Sequence, residues 1–478
     1  MKAEHLELRK NAVGILGIIL FVIASNGPLT VLLAGTPPAM TLGNGIGVPG
    51  AFLLVALVYV LFSVGFSAMA RHIKNSGAFY AYISQGISKP VAVGSAFISI
   101  SAYSALMIAL YGVFGFFANL LISTTLGIEI PWWILCLIAI LSIYFFSTRN
   151  VQFNGKMLSI LIAAEIFIIL LFDAAVVFAG GGPEGLSLTP FAPSHIFSSG
   201  LGVAIMFITT CFIGFETAAI YSEEAKDARK TVPRALFISV LLIGGFASIS
   251  TWLMMSAYGP ALAVSEAGKD AGAVWLNISG QILGTWSIDV MNILMTTSLF
   301  AALLSLTNIL TRYIFALARE NIIWHTLAKL HSTQQTPARA SQLQMAILVI
   351  IFTVAGLKGV DPLNELFPIT SALCALSIVS VQVLTSIAII GFFKKQKRDT
   401  SIWERLFAPS LSIVFLSAIL MTTLWNIDVL TNGSVLFNWL LPILCFALGI
   451  GGYLYTHWLK HHKPKIYHQL DDFLMNQN

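Results

Sequence analysis

The sequence predicts an all-α polytopic membrane protein with about twelve transmembrane helices, ten of which form two inverted repeats of five. Three observations support this prediction. The 478 residues are 57% hydrophobic and only 10% charged, whereas soluble proteins average about 25% charged residues. The apolar residues form successive runs of about 20, the length that crosses a bilayer. Two of these runs, five helices apart, are interrupted at mid-span by helix-breaking residues.

The apolar runs predict helices 1 to 12, with ends that are loose by several residues. These runs are 12–33, 48–70, 91–121, 131–146, 157–178, 201–221, 233–257, 288–317, 343–357, 366–393, 406–425 and 435–459. We divide the chain into an N-terminus (1–10), an inverted-repeat core (11–395, with its halves at about 11–180 and 198–395), helices 11 and 12 (396–460) and a tail (461–478).

The positive charges predict the orientation of the chain, because cytoplasmic loops are enriched in Lys and Arg. With a cytoplasmic N-terminus, all 26 Lys and Arg residues except Lys269 and Lys358 fall on the cytoplasmic side. Both termini are therefore expected in the cytoplasm. The first apolar run, 12–24, is similar to a signal peptide, but the following residues continue it as a membrane segment. Residues 259–286 form a long polar outer loop and a candidate gate.

Helix 6, LGVAIMFITTCFIGFETAAIY, contains one of the two breaks. Gly214 weakens a helix by about 1 kcal/mol, and a charge such as that of Glu216 costs at least about 2.5 kcal/mol at the bilayer centre. Lipid cannot satisfy a loosened backbone, so such a break requires protein or a water-filled cavity around it. This pattern predicts a substrate or ion site. The alternative is a glycine kink with a hydrogen-bonded Glu216.

Helix 1 is interrupted at Ser25-Asn26-Gly27-Pro28. Proline strains a continuous helix but suits the first turn of a new one. We therefore expect one half-helix to end near Ala24 and another to begin near Pro28, the alternative being a simple proline kink. Helices 1 and 6 would run in opposite directions and place a site at the interface of the repeats. Half-helix N-termini and unwound carbonyls there would suit a zwitterion or an amine.

Helix 5 carries two carboxyl groups, Glu165 near mid-span and Asp173 nearer the outer end. Burying a carboxylate in an apolar span is costly, and a group that binds and releases a proton avoids part of that cost. Glu165 is therefore a candidate proton carrier. The alternative, weighed equally, is a structural hydrogen bond to a neighbouring helix. Asp173 is expected to be structural or to line an outer vestibule.

Two further helices carry polar or aromatic side chains at helical spacing. On helix 3, Tyr103, Met107 and Tyr111 lie on one face, a pattern more typical of a core than of a ligand pocket. On helix 8, Ser305 and Thr307 are either packing contacts or ligands of an ion.

Several classes of function receive no support from the sequence. The four cysteines all fall in apolar spans and are interpreted as small buried side chains, not as disulfides or metal ligands. No P-loop, HExxH or GxSxG motif is present. The basic residues occupy short loops, so the net charge of +5 does not indicate nucleic-acid binding. We therefore expect no cofactor, no metal and no enzymatic activity.

Three stretches resemble the amino acid–polyamine–organocation superfamily, in its bacterial amino acid permease branch. They are FIGFETAAIYSEEAKDARKTVP at 212–233, TNILTRYIFALARENIIWHTLAKL at 307–330 and MARHIKNSGAFYAY at 69–82. The similarity extends roughly from Lys10 to Arg398. It implies a leucine-transporter-like fold in which helices 1–5 and 6–10 are inverted repeats, in a bacterial inner membrane, with helices 11 and 12 added.

The resemblance also implies roles for individual residues. The carbonyl groups that hold a substrate amine in relatives correspond to Thr210, Cys211 and Ile213. A glutamate implicated in the response to protons or pH corresponds to Glu216. A lysine that some relatives carry in helix 5 aligns with Glu165, a charge reversal suited to a proton or to Na⁺.

The break in helix 1 departs from the pattern of the superfamily. Relatives usually have Gly-Ser-Gly where they bind a carboxylate, but this chain has Ser25-Asn26-Gly27-Pro28. Pro28 lacks an N–H, which weakens the case for an α-carboxylate substrate and admits a simple amine. By the same resemblance, Phe212 or Phe215 is a candidate gate beside the break in helix 6.

The sequence therefore predicts a secondary active transporter of an amino acid or small amine, coupled to H⁺ by symport or antiport. The predicted substrate site comprises Ala24, Ser25, Asn26, Gly27, Thr30, Tyr103, Thr210, Cys211, Ile213 and Gly214. Alternatives are an uncoupled facilitator, a sodium-coupled amine or polyamine permease, and a membrane sensor that binds a ligand without moving it. Membrane lipid is the expected surrounding, and a homodimer is left open.

Overall fold

Each of the twelve predicted apolar runs contains helical segments of the chain. The computed structural model describes residues 14–470 apart from 74–77, 149–154, 221–226, 320, 331–335, 397–399, 465 and 468–469. Within these residues the regular elements are helices, and no β-strand is present. The all-α prediction is therefore confirmed.

Helices 1 and 6 are each divided into two parts, and the other ten are long helices, two of which open with a short π-helical turn. Their bounds are Ile15–Asn26 with Pro28–Thr30, Val31–Gly35, Thr36–Pro38 and Ala39–Asn44 (helix 1), Val48–Ala70 (2), Lys89–Leu126 (3), Trp132–Thr148 (4), Gly155–Phe178 (5), Leu201–Cys211 with Thr217–Ile220 (6), Ala228–Tyr258 (7), Trp286–Arg319 (8), Ala338–Leu357 (9), Pro362–Leu366 with Phe367–Lys395 (10), Trp403–Phe407 with Ala408–Trp425 (11) and Val435–His462 (12).

The lengths and hydropathies of the helices fit a membrane protein. Nine helical stretches of the described part are long and apolar enough to cross a membrane. One of the nine, Pro28–Ala70, includes both the second part of helix 1 and all of helix 2, while helices 4 and 6 are apolar but shorter. Helix 12 exposes large apolar side chains, among them Leu436 and Ile450. A long apolar helix with such an exposed face is suited to contact with lipid.

Helix 1 extends beyond its predicted end at Leu33, to Asn44. The sequence around Pro37 and Pro38 resembles a loop, because proline cannot donate a backbone hydrogen bond. The chain instead passes through π-helical turns at Val31–Gly35 and Ala39–Asn44. These turns shift the register of the hydrogen bonds, so the prolines fit at the first positions of a helical turn.

The segment 259–286, expected to be a polar loop, contains two helices at Pro260–Lys269 and Val274–Leu283. It is anchored by Trp275, which is 1% exposed and donates from Nε1 to the Thr36 hydroxyl at 2.9 Å. Each of these amphipathic helices is too short to form the apolar run of a membrane span, so the sequence predicted a loop there. The segment packs against the second part of helix 1.

Helix 3 is the central packing element of the molecule. Its 38 residues contact helices 8, 10 and 12, while helix 2 packs along helix 7. The four cysteines all lie within the described part, are buried and form no disulfide. The breaks of helices 1 and 6 face this central region, where helices 3, 5, 8 and 10 surround them.

Candidate functional site

The break of helix 1 centres on Gly27, whose φ of 60° and ψ of 104° are not helical. The first half-helix ends at Asn26, two residues beyond the predicted Ala24, and the second begins with Pro28 at its first position. A β-carbon at residue 27 would lie 2.9 Å from the Thr30 hydroxyl oxygen and 3.2 Å from that of Ser298. Both the backbone angle and the space therefore require glycine, and the predicted break is confirmed.

A carboxylate from helix 5 caps the second half of helix 1. The Leu29 N–H donates to Glu165 Oε2 at 3.2 Å. The Ser298 side chain of helix 8 also forms a hydrogen bond with Glu165, which is 1% exposed. Negative charge at a helix N-terminus is favourable, because the unpaired N–H groups carry a partial positive charge. Glu165 therefore connects helices 1, 5 and 8 at the break.

The break of helix 6 lies between Cys211 and Thr217. Residues 212–216 form turns with N–H to carbonyl bonds from Phe212 to Thr209 at 3.1 Å and from Ile213 to Thr210 at 3.2 Å. Gly214 has a φ of 108°, in a region that side chains rarely adopt. The predicted break is confirmed, and its centre is the glycine that the sequence singled out.

Glu216 caps its own break. Its Oε2 accepts the Gly214 N–H at 2.9 Å, and its Oε1 accepts the Tyr103 hydroxyl of helix 3 at 2.6 Å. The carboxyl group also bonds the N–H of its own residue, and the side chain is fully buried. Tyr103 thus holds Glu216 and is absent from the lining of the adjacent cavity.

A cavity lies beside the two breaks, between helices 1, 3, 6 and 10. Four of the predicted substrate residues line it, namely Thr30, Thr210, Cys211 and Ile213. Further lining residues are Val31, Ala34, Gly35, Leu106, Leu110, Phe367 and Ser371. The walls are apolar with a few hydroxyl groups, and none of these lining side chains is charged. The side chains of Ala24, Ser25 and Asn26 lie outside the part of the chain that the structure describes.

Phe212 and Phe215, the predicted gate, pack into an aromatic cluster with helix 2. Phe212 stacks on Tyr59 with ring centroids 4.9 Å apart, and Phe215 meets Tyr59 edge-on at 5.1 Å. Both phenylalanines are fully buried. Neither lines the cavity, so their contacts fasten helix 6 to helix 2, and a gating role stays a prediction.

A different aromatic pair lies at the cavity. Phe207 of helix 6 and Phe367 of helix 10 stack in parallel with ring centroids 6.1 Å apart, and Phe367 lines the cavity. Sequence reasoning missed this pair, because the two residues lie on different helices that are far apart in the chain. No local signal relates them.

The predicted ion ligands on helix 8 lie away from the break in helix 1. The Thr307 hydroxyl donates within its own helix, to the Leu303 carbonyl at 2.8 Å, and also bonds Tyr111. The hydroxyl group that bonds Glu165 belongs to Ser298. At 1.5 Å per residue along a helix, Ser298 lies about 10 Å from Ser305. An ion site at Ser305 and Thr307 stays a prediction.

Asp173 has a structural contact, as expected. Its Oδ2 accepts the Ser250 hydroxyl of helix 7 at 2.6 Å. The contact joins the C-terminal half of helix 5 to helix 7. Asp173 is not among the lining residues of the cavity between the breaks.

Comparison with known proteins identifies the family. The model of the amino acid permease family matches residues 15–448. The low-affinity putrescine importer PlaP of Escherichia coli (strain K12) is 22% identical over 432 residues, which cover 87% of this chain and 89% of PlaP. The branched-chain amino acid permease BcaP of Bacillus subtilis (strain 168) is 24% identical over 384 residues, covering 76% of this chain and 77% of BcaP.

A third relative is similar over a shorter stretch. Cationic amino acid transporter 4 of Mus musculus is 28% identical over 205 residues, which cover 41% of this chain and 30% of that protein. The three relatives are all membrane permeases or transporters by name, and the family match covers the breaks of both helices. The chain therefore belongs to the amino acid permease family, within the amino acid–polyamine–organocation superfamily.

Proposed function

We propose that the protein is a secondary active transporter that carries an amino acid or a small amine across the cytoplasmic membrane by alternating access. Membership of the family implies the leucine-transporter-like fold and a transporter rather than an enzyme. The observation that carries the proposal is the meeting of two capped helix breaks beside a cavity. Discontinuous helices of this kind form the midplane substrate sites of secondary transporters.

The cavity is the proposed substrate site. Thr30, Thr210 and Ile213 approach it from both breaks, and Leu106 supplies an apolar wall. A substrate ammonium would bind the carbonyl and hydroxyl oxygens of helix 6, while its hydrocarbon part would lie against the apolar wall. The printed names of the relatives, a putrescine importer and a branched-chain amino acid permease, include both an amine and amino acids.

Glu165 is the proposed proton carrier for coupling. Its carboxylate accepts the Leu29 N–H and bonds Ser298, so it joins the second half of helix 1 to helices 5 and 8. Hydrogen bonds to a charged acceptor are about twice as strong as neutral ones. Protonation of Glu165 would therefore loosen helix 1 from helix 5, which links proton binding to the opening of the site. Na⁺ is the alternative coupling ion at the same carboxylate.

The coupling is tested by uptake into proteoliposomes with an imposed pH gradient, with and without a protonophore. The proposal expects accumulation above the external concentration of a substrate, and collapse of that accumulation by the protonophore. Equilibration without accumulation would favour an uncoupled facilitator. Saturable binding without any flux would favour a sensor. Accumulation that depends on a Na⁺ gradient alone would replace the proton by sodium.

The proposed orientation places both termini in the cytoplasm of a bacterial cell, with helices 1–5 and 6–10 as the inverted halves of a core at 11–395. Asn277, Lys395 and Asn432 are exposed and suit labelling. Cysteines at 277 and 432 should react with an impermeant reagent added outside intact cells, and a cysteine at 395 should not. Labelling of position 395 from outside would refute this orientation.

A further inference from the structure

Each helix break carries its own carboxylate, and this determines which substrate charges the site accepts. The exposed N–H groups of a half-helix N-terminus form a ready site for an anion. In a transporter such an end is available to a carboxylate of the substrate. Here a carboxyl group of the protein occupies each break, Glu165 on the Leu29 N–H at the start of the second part of helix 1 and Glu216 on the Gly214 N–H in the turn of helix 6.

At the first break, few donors are left for a substrate. Pro28 has no N–H, and the Leu29 N–H donates to Glu165 Oε2 at 3.2 Å. Val31 donates to the Gly27 carbonyl at 3.0 Å. Only the Thr30 N–H remains in the first turn, and Glu165 beside it would repel a second carboxylate. A single neutral donor next to a negative charge does not make an anion site.

At the second break, the donors likewise point to a protein carboxylate. Glu216 accepts the Gly214 N–H at 2.9 Å, the N–H of its own residue and the Tyr103 hydroxyl at 2.6 Å. These three donors belong to the turn of helix 6 and to helix 3, and the carboxyl group of Glu216 takes up all three.

Two of the hydroxyl groups that line the cavity donate to other atoms of the protein. The Thr210 hydroxyl donates to the Phe207 carbonyl at 2.6 Å, and the Thr30 hydroxyl donates to Met295 Sδ at 3.7 Å. A hydroxyl that donates elsewhere offers only acceptor lone pairs to a ligand. Thr30 and Thr210 therefore offer acceptor lone pairs that suit an ammonium group.

From these contacts we infer that the substrate is an organic amine that lacks an α-carboxylate. The inference rests on the proposed transport function and narrows its substrate class. The substrate supplies the positive charge, and the carboxyl groups of Glu165 and Glu216 already occupy break N–H groups that a substrate carboxylate would need. An amino acid would place a carboxylate beside one of these carboxyl groups with too few donors to compensate.

The test compares pairs of compounds that differ only by the carboxylate. Suitable pairs are putrescine and ornithine, cadaverine and lysine, agmatine and arginine, and isoamylamine and leucine. Binding to the purified full-length protein is measured by thermal shift and by competition. In at least one pair the amine should bind more tightly than the amino acid by about tenfold or more, the factor expected for one lost charge-assisted hydrogen bond.

The possible results separate the inference from the proposed function. An amino acid that binds more tightly than its amine in every pair with measurable binding would overturn the inference and leave the transport function standing. Absence of binding by both members of all pairs would overturn both.

A variant tests the role of Glu165 directly. Glu165→Ala exposes the Leu29 N–H and removes the repelling charge, so the ratio of amine to amino acid affinity should fall by about tenfold. Glu165→Gln, which retains the shape, should lower the ratio less and serves if the alanine variant does not fold. Asp173→Asn is the control, because it also removes a carboxylate from helix 5 but lies outside the cavity. An unchanged ratio in both Glu165 variants would contradict the assignment.

Discussion

The breaks of helices 1 and 6 are both capped by a carboxyl group, but the two carboxyl groups come from different parts of the chain. Each contains a glycine with positive φ, Gly27 at 60° and Gly214 at 108°, and each has an N–H that donates to a buried carboxylate. Glu216 lies two residues from the N–H that it accepts, whereas Glu165 lies 136 residues from Leu29. One break is therefore capped from within its own turn and the other from a different helix.

This difference indicates which of the two caps depends on the relative position of two helices. The turn of helix 6 keeps its cap wherever the helix moves, because glycine and carboxylate belong to the same short segment. The second half of helix 1 keeps its cap only while helix 5 stays beside it. A proton on Glu165 would thus weaken a contact between helices, and a proton on Glu216 would weaken a contact largely within one helix.

Gly214→Leu attacks the break of helix 6 and has the largest expected effect. A leucine at a φ of 108° is strained by about 1–3 kcal/mol, so the turn would change its path and displace Thr210, Cys211 and Ile213, which line the cavity. Uptake should fall to background, while fluorescence-detected gel filtration should show folded protein. Wild-type uptake by this variant would remove helix 6 from the proposed site.

Glu165→Gln alters the carboxyl group that caps the second half of helix 1. Glutamine keeps the size and one acceptor oxygen but cannot exchange a proton, so binding and exchange of substrate should remain while accumulation driven by a pH gradient is lost. The measurement is concentrative uptake against counterflow in the same proteoliposomes. Glu216→Gln sharpens the comparison, since a self-contained cap should retain more of the pH-driven accumulation. Unchanged pH and sodium dependence in Glu165→Gln would leave Glu165 as a structural partner only.

Tyr103→Phe removes the donor that helix 3 contributes to Glu216, and its expected effect is smaller. A hydrogen bond to a charged group contributes about 1.5–3 kcal/mol, so thermal stability should fall and uptake should decrease several-fold without vanishing. Tyr313→Phe is a matched control, since the Tyr313 ring lies 5.9 Å from Tyr103 and its buried hydroxyl has no hydrogen-bond partner among the described residues. Equal losses in the two variants would show that bulk packing, not the bond to Glu216, explains the effect.

The local features of the site were predictable from the sequence. Gly214, Glu216 and Pro28 stand out in apolar runs because their cost to a membrane helix is a property of the residue itself. Both breaks and the proximity of Glu216 to its turn follow from residues a few positions apart. The family follows from motifs of the same local kind.

The contacts between helices were not predictable in the same way. Three such contacts join residues that are far apart in the chain. They are the bond of Glu165 to Leu29, the bond of Glu165 to Ser298 rather than to Ser305 or Thr307, and the stack of Phe207 on Phe367. The packing of Phe212 and Phe215 on helix 2 is another example.

By itself the sequence determined the class of protein, the positions of the helices and the two breaks, since these depend on hydropathy, on backbone restrictions and on neighbours along the chain. Only the tertiary structure decided that helix 5 caps helix 1 and that Thr30, Thr210 and Phe367 line one cavity. The periodicity of a helix specifies which residues share a face, but the rotation and height of that face against its neighbours depend on how all the helices pack together.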